Sequence, residues 1–345
     1  MTEETTNNNH PVRAIDLFCG IGGNSLGAQQ AGVEIVAGFD KWDLATRVYQ
    51  DNFRGAIVKN KPLQLINVEQ IQKKLGHIDL LLASPECTSH SVARGKRKRG
   101  KWSMKLAFQV TRFSKVLRPR WIVIENVPNM RNWEHYDKFK SELEDQGYKV
   151  REQELIASDF GVPQSRKRLF LICDLLQEPP DITSPNDTAI APARNVVNLN
   201  GVYRSTPLDN GRRAAKTLAR AQKGFEALGT ETPFLLVYYG SDGDGSRGWQ
   251  SLDVPLRTIT TLDRFALVKP GPNGEGPVMR MLQPAELQAA MGFPDTFVIN
   301  HGNRRDKIHL LGNAVCPPVM KTIIEKLMGE ERLQTDRQVV VEQVT

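Results

Sequence analysis

A strand, a glycine turn, a helix and a second strand follow one another within the first forty residues, and this run restricts the fold more than any other feature. Ala14-Ile15-Asp16-Leu17-Phe18 reads as a buried strand, Gly20 to Gly23 as the turn, and Asn24 to Ala31 as the helix; Glu34 to Phe39 is a second strand ending at Asp40. Strands joined through a helix pair in parallel, and a parallel sheet needs helices on its faces. The alternation continues. Ile78 to Ala83 is a strand ending before Ser84-Pro85-Glu86-Cys87, Leu106 to Leu117 is helical and closed by Arg118-Pro119, and Trp121 to Ile124 and Leu169 to Cys173 are further apolar runs. The expected fold class is α/β, with a doubly wound, mostly parallel sheet. From about residue 175 to 278 the pattern breaks, with scattered Pro and Gly and no clean periodicity. That stretch predicts a second, smaller and irregular domain. Helical patterns return at Pro284 to Met291 and Pro317 to Met328.

The glycine turn has a chemical reading beside a structural one. Glycines let a ligand approach the backbone, and the helix start behind them favours a polar group. Asp40, ending the next strand, can accept bonds from ribose hydroxyls. Together they point to an adenosine-containing ligand; the plain alternative is a tight turn. A nicotinamide dehydrogenase is disfavoured, because the glycines fall at 20, 22, 23 and 27 and not in the Gly-x-Gly-x-x-Gly spacing. Cys87 follows a strand in a polar, basic neighbourhood. A lone cysteine is usually a packing residue, but nearby cations would lower its pKa and make it a nucleophile. Glu125, at the end of Trp121-Ile122-Val123-Ile124, is either a satisfied structural carboxylate or a general acid. In Gln164-Ser165-Arg166-Lys167-Arg168, a strand would place Arg166 and Arg168 on one face. Two guanidiniums there can hold a polar base or a phosphate, unless this is a solvent-facing edge.

Composition narrows the setting. The net charge is +7, and residues 94–101 hold six cations and no acid. This suits a polyanion, against a merely solvated loop. The four cysteines form no Cys-x-x-Cys pair, so no metal is expected and a reducing, cytoplasmic compartment is. No apolar run is long enough to span a bilayer. Residues 1–11 read as a loose polar tail and 331–345 as a C-terminal tail.

Taken in order, these segments resemble the DNA cytosine-5 methyltransferase family. Asp16-Leu17-Phe18-Cys19-Gly20-Ile21-Gly22-Gly23 looks like its cofactor motif and Cys87 its nucleophile. Glu125-Asn126-Val127 is similar to its Glu-Asn-Val motif, and Gln164-Ser165-Arg166-Lys167-Arg168 to its Gln-x-Arg-x-Arg motif. Arg280 to Glu286, Gly292 to Asp295, and Gly312-Asn313-Ala314-Val315 resemble its closing elements. The resemblance implies a class I methyltransferase-like sheet, S-adenosylmethionine as cofactor, and methyl transfer to carbon 5 of a flipped cytosine in double-stranded DNA through a covalent cysteine adduct. It implies Cys87, Glu125, Arg166 and Arg168 as catalytic residues. The cofactor residues would be Phe18, Gly20, Ile21, Gly22, Gly23, Asp40, Lys41, Asn67, Val68, Leu106, Asn313, Ala314 and Val315. DNA would be met by Ser91, Arg94, Lys96, Arg97, Lys98, Arg99, Lys101 and Gln164.

The expected organisation is a catalytic and cofactor-binding domain at 12–180 plus 279–330, with a target-recognition domain at 181–278. Expected partners are double-stranded DNA and a cognate restriction endonuclease, for a monomer acting on DNA in a prokaryotic or phage-host cytoplasm. Methylation of transfer RNA by the same chemistry, or a catalytically weak DNA-binding relative, are the rival readings. The chain departs from the family pattern at Glu86 and Thr88, where the family has Pro and Gln around the cysteine. A carboxylate beside a thiolate would raise the cysteine pKa unless a cation pairs with it.

Overall fold

A computed structural model describes residues 11–85, 106–185, 189–239 and 248–342, with only the backbone of 330–342. The chain forms two compact units. One comprises residues up to Glu154, Arg168–Thr183 and the chain from Val319; the other comprises Leu155–Lys167 and Ser184–Pro318.

The first unit carries a seven-stranded sheet in the order β3-β2-β1-β4-β5-β8-β6. Its strands are β1 (Arg13–Leu17), β2 (Glu34–Asp40), β3 (Ile57–Asn60), β4 (Leu80–Ala83), β5 (Trp121–Asn126), β6 (Lys149–Ile156) and β8 (Lys167–Asp174). The five strands β1 to β5 pair in parallel, and β8 runs antiparallel to β5. Strands such as Leu80–Ala83 and Trp121–Asn126 are buried at every residue. Burial on both faces is why they read as unbroken apolar runs. The helices between them are α1 (Gly23–Gln30), α2 (Asp43–Asn52), α3 (Val68–Leu75), α4 (Phe108–Leu117) and α5 (Tyr136–Glu144). The chain winds outward from β1 to β3, then returns to pair β4 on the other side of β1. Such a reversal opens a crevice at the carboxyl ends of the two central strands. The glycine turn after β1, Asp40 at the end of β2, Ser84 after β4 and Glu125 near the end of β5 all lie at that edge, because the strands are parallel.

The second unit is more regular than its sequence suggests. Five short strands form an antiparallel sheet in the order β11-β10-β13-β14-β9. They are β9 (Thr206–Pro207), β10 (Phe234–Val237), β11 (Trp249–Ser251), β13 (Phe265–Lys269) and β14 (Val278–Met281). A helix, α6 (Ala215–Leu228), packs on this sheet, with Gly224 lying so close to the Phe234 ring that a side chain there would overlap it. Residues Leu208, Ala221, Phe234, Leu236, Ala266, Val268 and Met279 form the core of this layer. With strands of two to five residues broken by loops, no period could develop along the sequence. A parallel pair, β7 (Gln164–Ser165) with β12 (Leu256–Arg257), and helices α7 (Pro284–Ala290) and α8 (Arg304–Asn313) complete the unit. The last helix, α9 (Pro317–Glu342), carries on through the stretch expected as a tail from 331, which contains helix-forming residues and no proline.

Candidate active site

The glycine turn leaves β1 with Phe18 at φ 56°, Gly20 at φ 52° and Gly22 at φ 97°. Left-handed backbone is routine for glycine and strained for phenylalanine. At Gly22 a side chain would also overlap the Phe53 ring, so the position admits only glycine. Above Gly20 nothing lies within 4 Å of where a Cβ would stand. The turn is therefore an open cradle over a packed floor. Asp40 anchors it, accepting from the Gly20 N–H at 2.9 Å through Oδ2 and from the Trp42 N–H at 2.9 Å through Oδ1.

That floor is polar. Asp16 has no exposed surface and accepts from the Ser25 hydroxyl at 2.7 Å, and Ser25 Oγ also lies 2.7 Å from the Tyr49 hydroxyl. Burial pushes the Asp16 carboxyl up to about 7; the bonds from Ser25 and Asn24 oppose this, and the nearby Asp40 charge adds to it. Burial likewise pushes the Cys19 thiol well above the ordinary range, so this cysteine is an inert wall and no nucleophile. Asn67 caps α3 by accepting from the Gln70 N–H at 2.8 Å. Lys41 is exposed, Ile21 is 1% exposed and Leu106 is buried. Val68, expected to meet the cofactor, belongs to the apolar core of the unit and has no exposed surface to offer.

At the next two strand ends, Ser84 and Pro85 lead out of β4 toward Cys87. Cys87 itself lies outside the described residues, as do Glu86, Thr88, Ser91, Arg94, Lys96, Arg97, Lys98, Arg99 and Lys101. Glu125 and Asn126 are the last two residues of β5, which runs two residues beyond the apolar stretch. Glu125 is buried and pairs with Arg168 of β8, Nε to Oε1, at 2.9 Å. The antiparallel register brings this pair together, setting Glu125 opposite Phe170 and Asn126 opposite Leu169. Asn126 donates to the Pro85 carbonyl at 3.1 Å and accepts from the Val127 N–H at 2.9 Å. It stands in the Glu-Asn-Val segment, but the sequence did not mark it as holding the approach to Cys87.

In the second unit, Arg166 is 3% exposed and donates to the carbonyls of Ile259 at 3.0 Å and Gly312 at 3.1 Å. Arg166 and Arg168 belong to different units. Gln164, expected to contact DNA, is fully buried. Its amide accepts from the Ile259 N–H at 2.8 Å and donates to the Ala290 carbonyl at 3.1 Å. Both ends of the side chain are engaged inside the unit, so it ties β7 to the 259 segment and α7 and presents nothing to a nucleic acid. Asn313 is exposed, while Ala314 and Val315 are 6% and 5% exposed. Among the described residues no cluster of His, Cys, Asp and Glu could hold a metal ion. None of the described helices is long and apolar enough to cross a membrane.

The family model described as C-5 cytosine-specific DNA methylase matches residues 12–329. Type II methyltransferase M.HindV of Haemophilus influenzae is 27% identical over 93% of this chain and 98% of its own length. Type II methyltransferase M.HhaI of Haemophilus parahaemolyticus is 26% identical over 90% and 93%. Type II methyltransferase M.HgiDI of Herpetosiphon aurantiacus reaches 37% identity, over 47% of this chain and 52% of that protein. Among solved structures, Entamoeba histolytica methyltransferase EhMeth superposes with a TM-score of 0.67 at 19% identity, covering 93% of this chain and 99% of that one. The S. pombe Dnmt2 methyltransferase gives 0.63 at 16%, with 93% and 99% covered.

Proposed function

The chain belongs to the C-5 cytosine-specific DNA methylase family, and from that premise we propose how its residues carry the reaction. The enzyme transfers a methyl group to carbon 5 of cytosine in DNA. The observation that carries the assignment of roles is the edge of the first unit's sheet. There the open glycine turn with Asp40, the chain leading to Cys87, and Glu125 come from adjacent parallel strands, and the antiparallel β8 brings Arg168 to Glu125.

S-adenosylmethionine fits the glycine turn. The space above Gly20 is free for a ligand, and Asp40, fixed by two backbone N–H groups, would hold the ribose hydroxyls. Phe18 would pack on the adenine, and Asn67 and Leu106 would border it. Asn313, Ala314 and Val315 are the further residues expected to meet the cofactor. When bound, this cofactor supplies an electrophilic methyl group on a sulfonium.

Cytosine carbon 5 is too weak a nucleophile to accept that methyl group unaided. The Cys87 thiolate adds to carbon 6, which loads electron density onto carbon 5. Glu125 bonds ring nitrogen 3 and the exocyclic amine, so the charge that builds in the ring is neutralised. Arg168 orients Glu125 through Nε and is placed to hold the base's carbonyl oxygen. After methylation a base removes the carbon 5 proton, and the thiolate leaves. Arg166 contributes by supporting the two catalytic groups. The target base must leave the helix stack to reach such a pocket, which implies duplex DNA with the cytosine flipped out. The basic run 94–101 meets phosphates and covers the flipped base. Residues 181–278, built on the antiparallel sheet, read the DNA sequence. A monomer is the working form, and a restriction endonuclease of the same specificity is the natural partner, since the relatives compared are named Type II methyltransferases.

The test supplies methyl-labelled cofactor to the purified protein with duplex DNA and with transfer RNA, and maps the labelled base. The expected product is 5-methylcytosine at a short fixed site in the duplex, with none from Cys87→Ser. Label in transfer RNA alone would overturn the substrate reading.

A further inference from the structure

Beyond the groups that touch cytosine, residues 84 and 85 are each held by an amide side chain. Asn126 holds the Pro85 carbonyl at 3.1 Å. Asn24, in the first turn of α1 behind the glycine cradle, donates through Nδ2 to the Ser84 hydroxyl at 2.8 Å. We propose that Asn24 is a positioning residue for methyl transfer, fixing through Ser84 the chain that carries Cys87. The inference rests on Cys87 being the nucleophile, as assigned above.

The sheet's own hold on Ser84 is at its end. The ladder of β4 to its neighbours ends with Ala83, opposite Leu17 and Ile124. Beyond it the Ser84 N–H donates once more, to the Leu17 carbonyl at 3.2 Å. Ser84 stands three residues before Cys87 in the sequence. A misplacement of about 1 Å at a reacting atom costs about 100-fold in rate. The Asn24–Ser84 bond acts three positions before the reacting sulfur in the chain.

Asn24 is also a poor choice for stability alone. Asparagine is a weak helix former, and this one is 3% exposed. Its Oδ1 is a buried acceptor with no donor among the described residues, and so is Asp16 Oδ1. An unsatisfied buried acceptor is destabilising. A residue that breaks local rules in this way is expected where function requires it. The bond joins the two halves of the reaction, because α1 begins at the cofactor cradle and Ser84 begins the approach to the nucleophile. It spans sixty positions of sequence.

The experiment uses full-length Asn24→Ala, Ser84→Ala, their double variant, and Ser84→Thr, which keeps the hydroxyl. Single-turnover methyl transfer is measured at saturating DNA and cofactor, beside the Kd for each. Ser84→Ala and Asn24→Ala should each slow the step about 10- to 100-fold while both Kd values stay within about two-fold. The double variant should be no slower than Asn24→Ala, which loses the Ser84 bond together with its bond to the Asp16 carboxyl. Ser84→Thr should keep the rate within about three-fold of wild type. Wild-type rate in Ser84→Ala, multiplicative losses in the double variant, or a loss confined to cofactor Kd would each overturn the proposal. If buried Asn24→Ala fails to fold, the half-buried Ser84 pair of variants still decides it. Cys87→Ser separates the two readings. Activity in that variant sinks the nucleophile assignment, whereas a silent Cys87→Ser beside a fully active Ser84→Ala sinks only the role of Asn24.

Discussion

Asp16 sits in the middle of the polar floor beneath the glycine turn, wholly buried and hydrogen-bonded to Ser25. Burial holds its carboxyl near 7, against 3.8 for the ordinary group. A raised carboxylate binds its proton more tightly in the native state than in the unfolded chain. Native stability is therefore fullest below about pH 4 as far as this group is concerned, and falls as pH rises from about 4 to about 7. Asp16→Asn keeps the acceptor for Ser25 and cannot ionise. Urea midpoints should show this variant gaining on wild type as pH is raised from 5 to 8, with a larger gap at pH 8. An equal gap at both pH values would mean that Asp16 stays ionised throughout. At this scale the sequence was informative only where a residue type announces its chemistry. The open glycine turn, the Asp40 anchor and the strand-end position of Glu125 were legible for that reason. Asn24 and Ser84 were not, because a bond between side chains sixty positions apart leaves no local pattern. Gln164 misled, because its motif says nothing about burial, and only the packing shows both ends of its amide consumed.

The elements of the first unit were legible because their strands are buried on both faces and separated by helices. Those of the second unit were hidden by their brevity, and its connections rely on specific polar contacts. The start of α7 is one of these. Glu286 is 4% exposed and closes a capping box with Gln283, whose N–H it accepts at 2.7 Å. It also takes a two-pronged bond from Arg280, at 2.7 and 2.6 Å, and one from the Asn198 N–H at 2.7 Å. Arg280 in turn donates to the Asn198 carbonyl at 2.7 Å. One buried pair thus joins β14, the start of α7 and the 198 loop. Removing one partner strands the other charge, a loss of about 3–5 kcal/mol. Arg280→Met should lower denaturation stability by that amount, and a loss below about 1 kcal/mol would show that the pair is solvated and marginal. The resemblance to a known motif found this segment, but not the reason for its residues, which is structural.

On the scale of the whole molecule, two units divide the chain in an order no linear reading gives, since Leu155–Lys167 leaves the first unit and Arg168 returns to it. The Gln-Ser-Arg-Lys-Arg segment is split accordingly, with Arg168 in the first unit beside Glu125 and Arg166 in the other. The chain's excess of +7 favours a polyanionic substrate, and binding should weaken with salt. The central claim concerns a single covalent bond, and duplex DNA carrying 5-fluorocytosine at the target position tests it directly. Fluorine at carbon 5 cannot leave as a proton does, so the adduct cannot resolve after methyl transfer. With cofactor present, the wild-type protein should remain attached to the DNA through denaturation, and peptide mass mapping should place the link on residue 87. A protein that methylates ordinary duplex DNA yet never becomes attached, or is attached through another residue, would contradict the account.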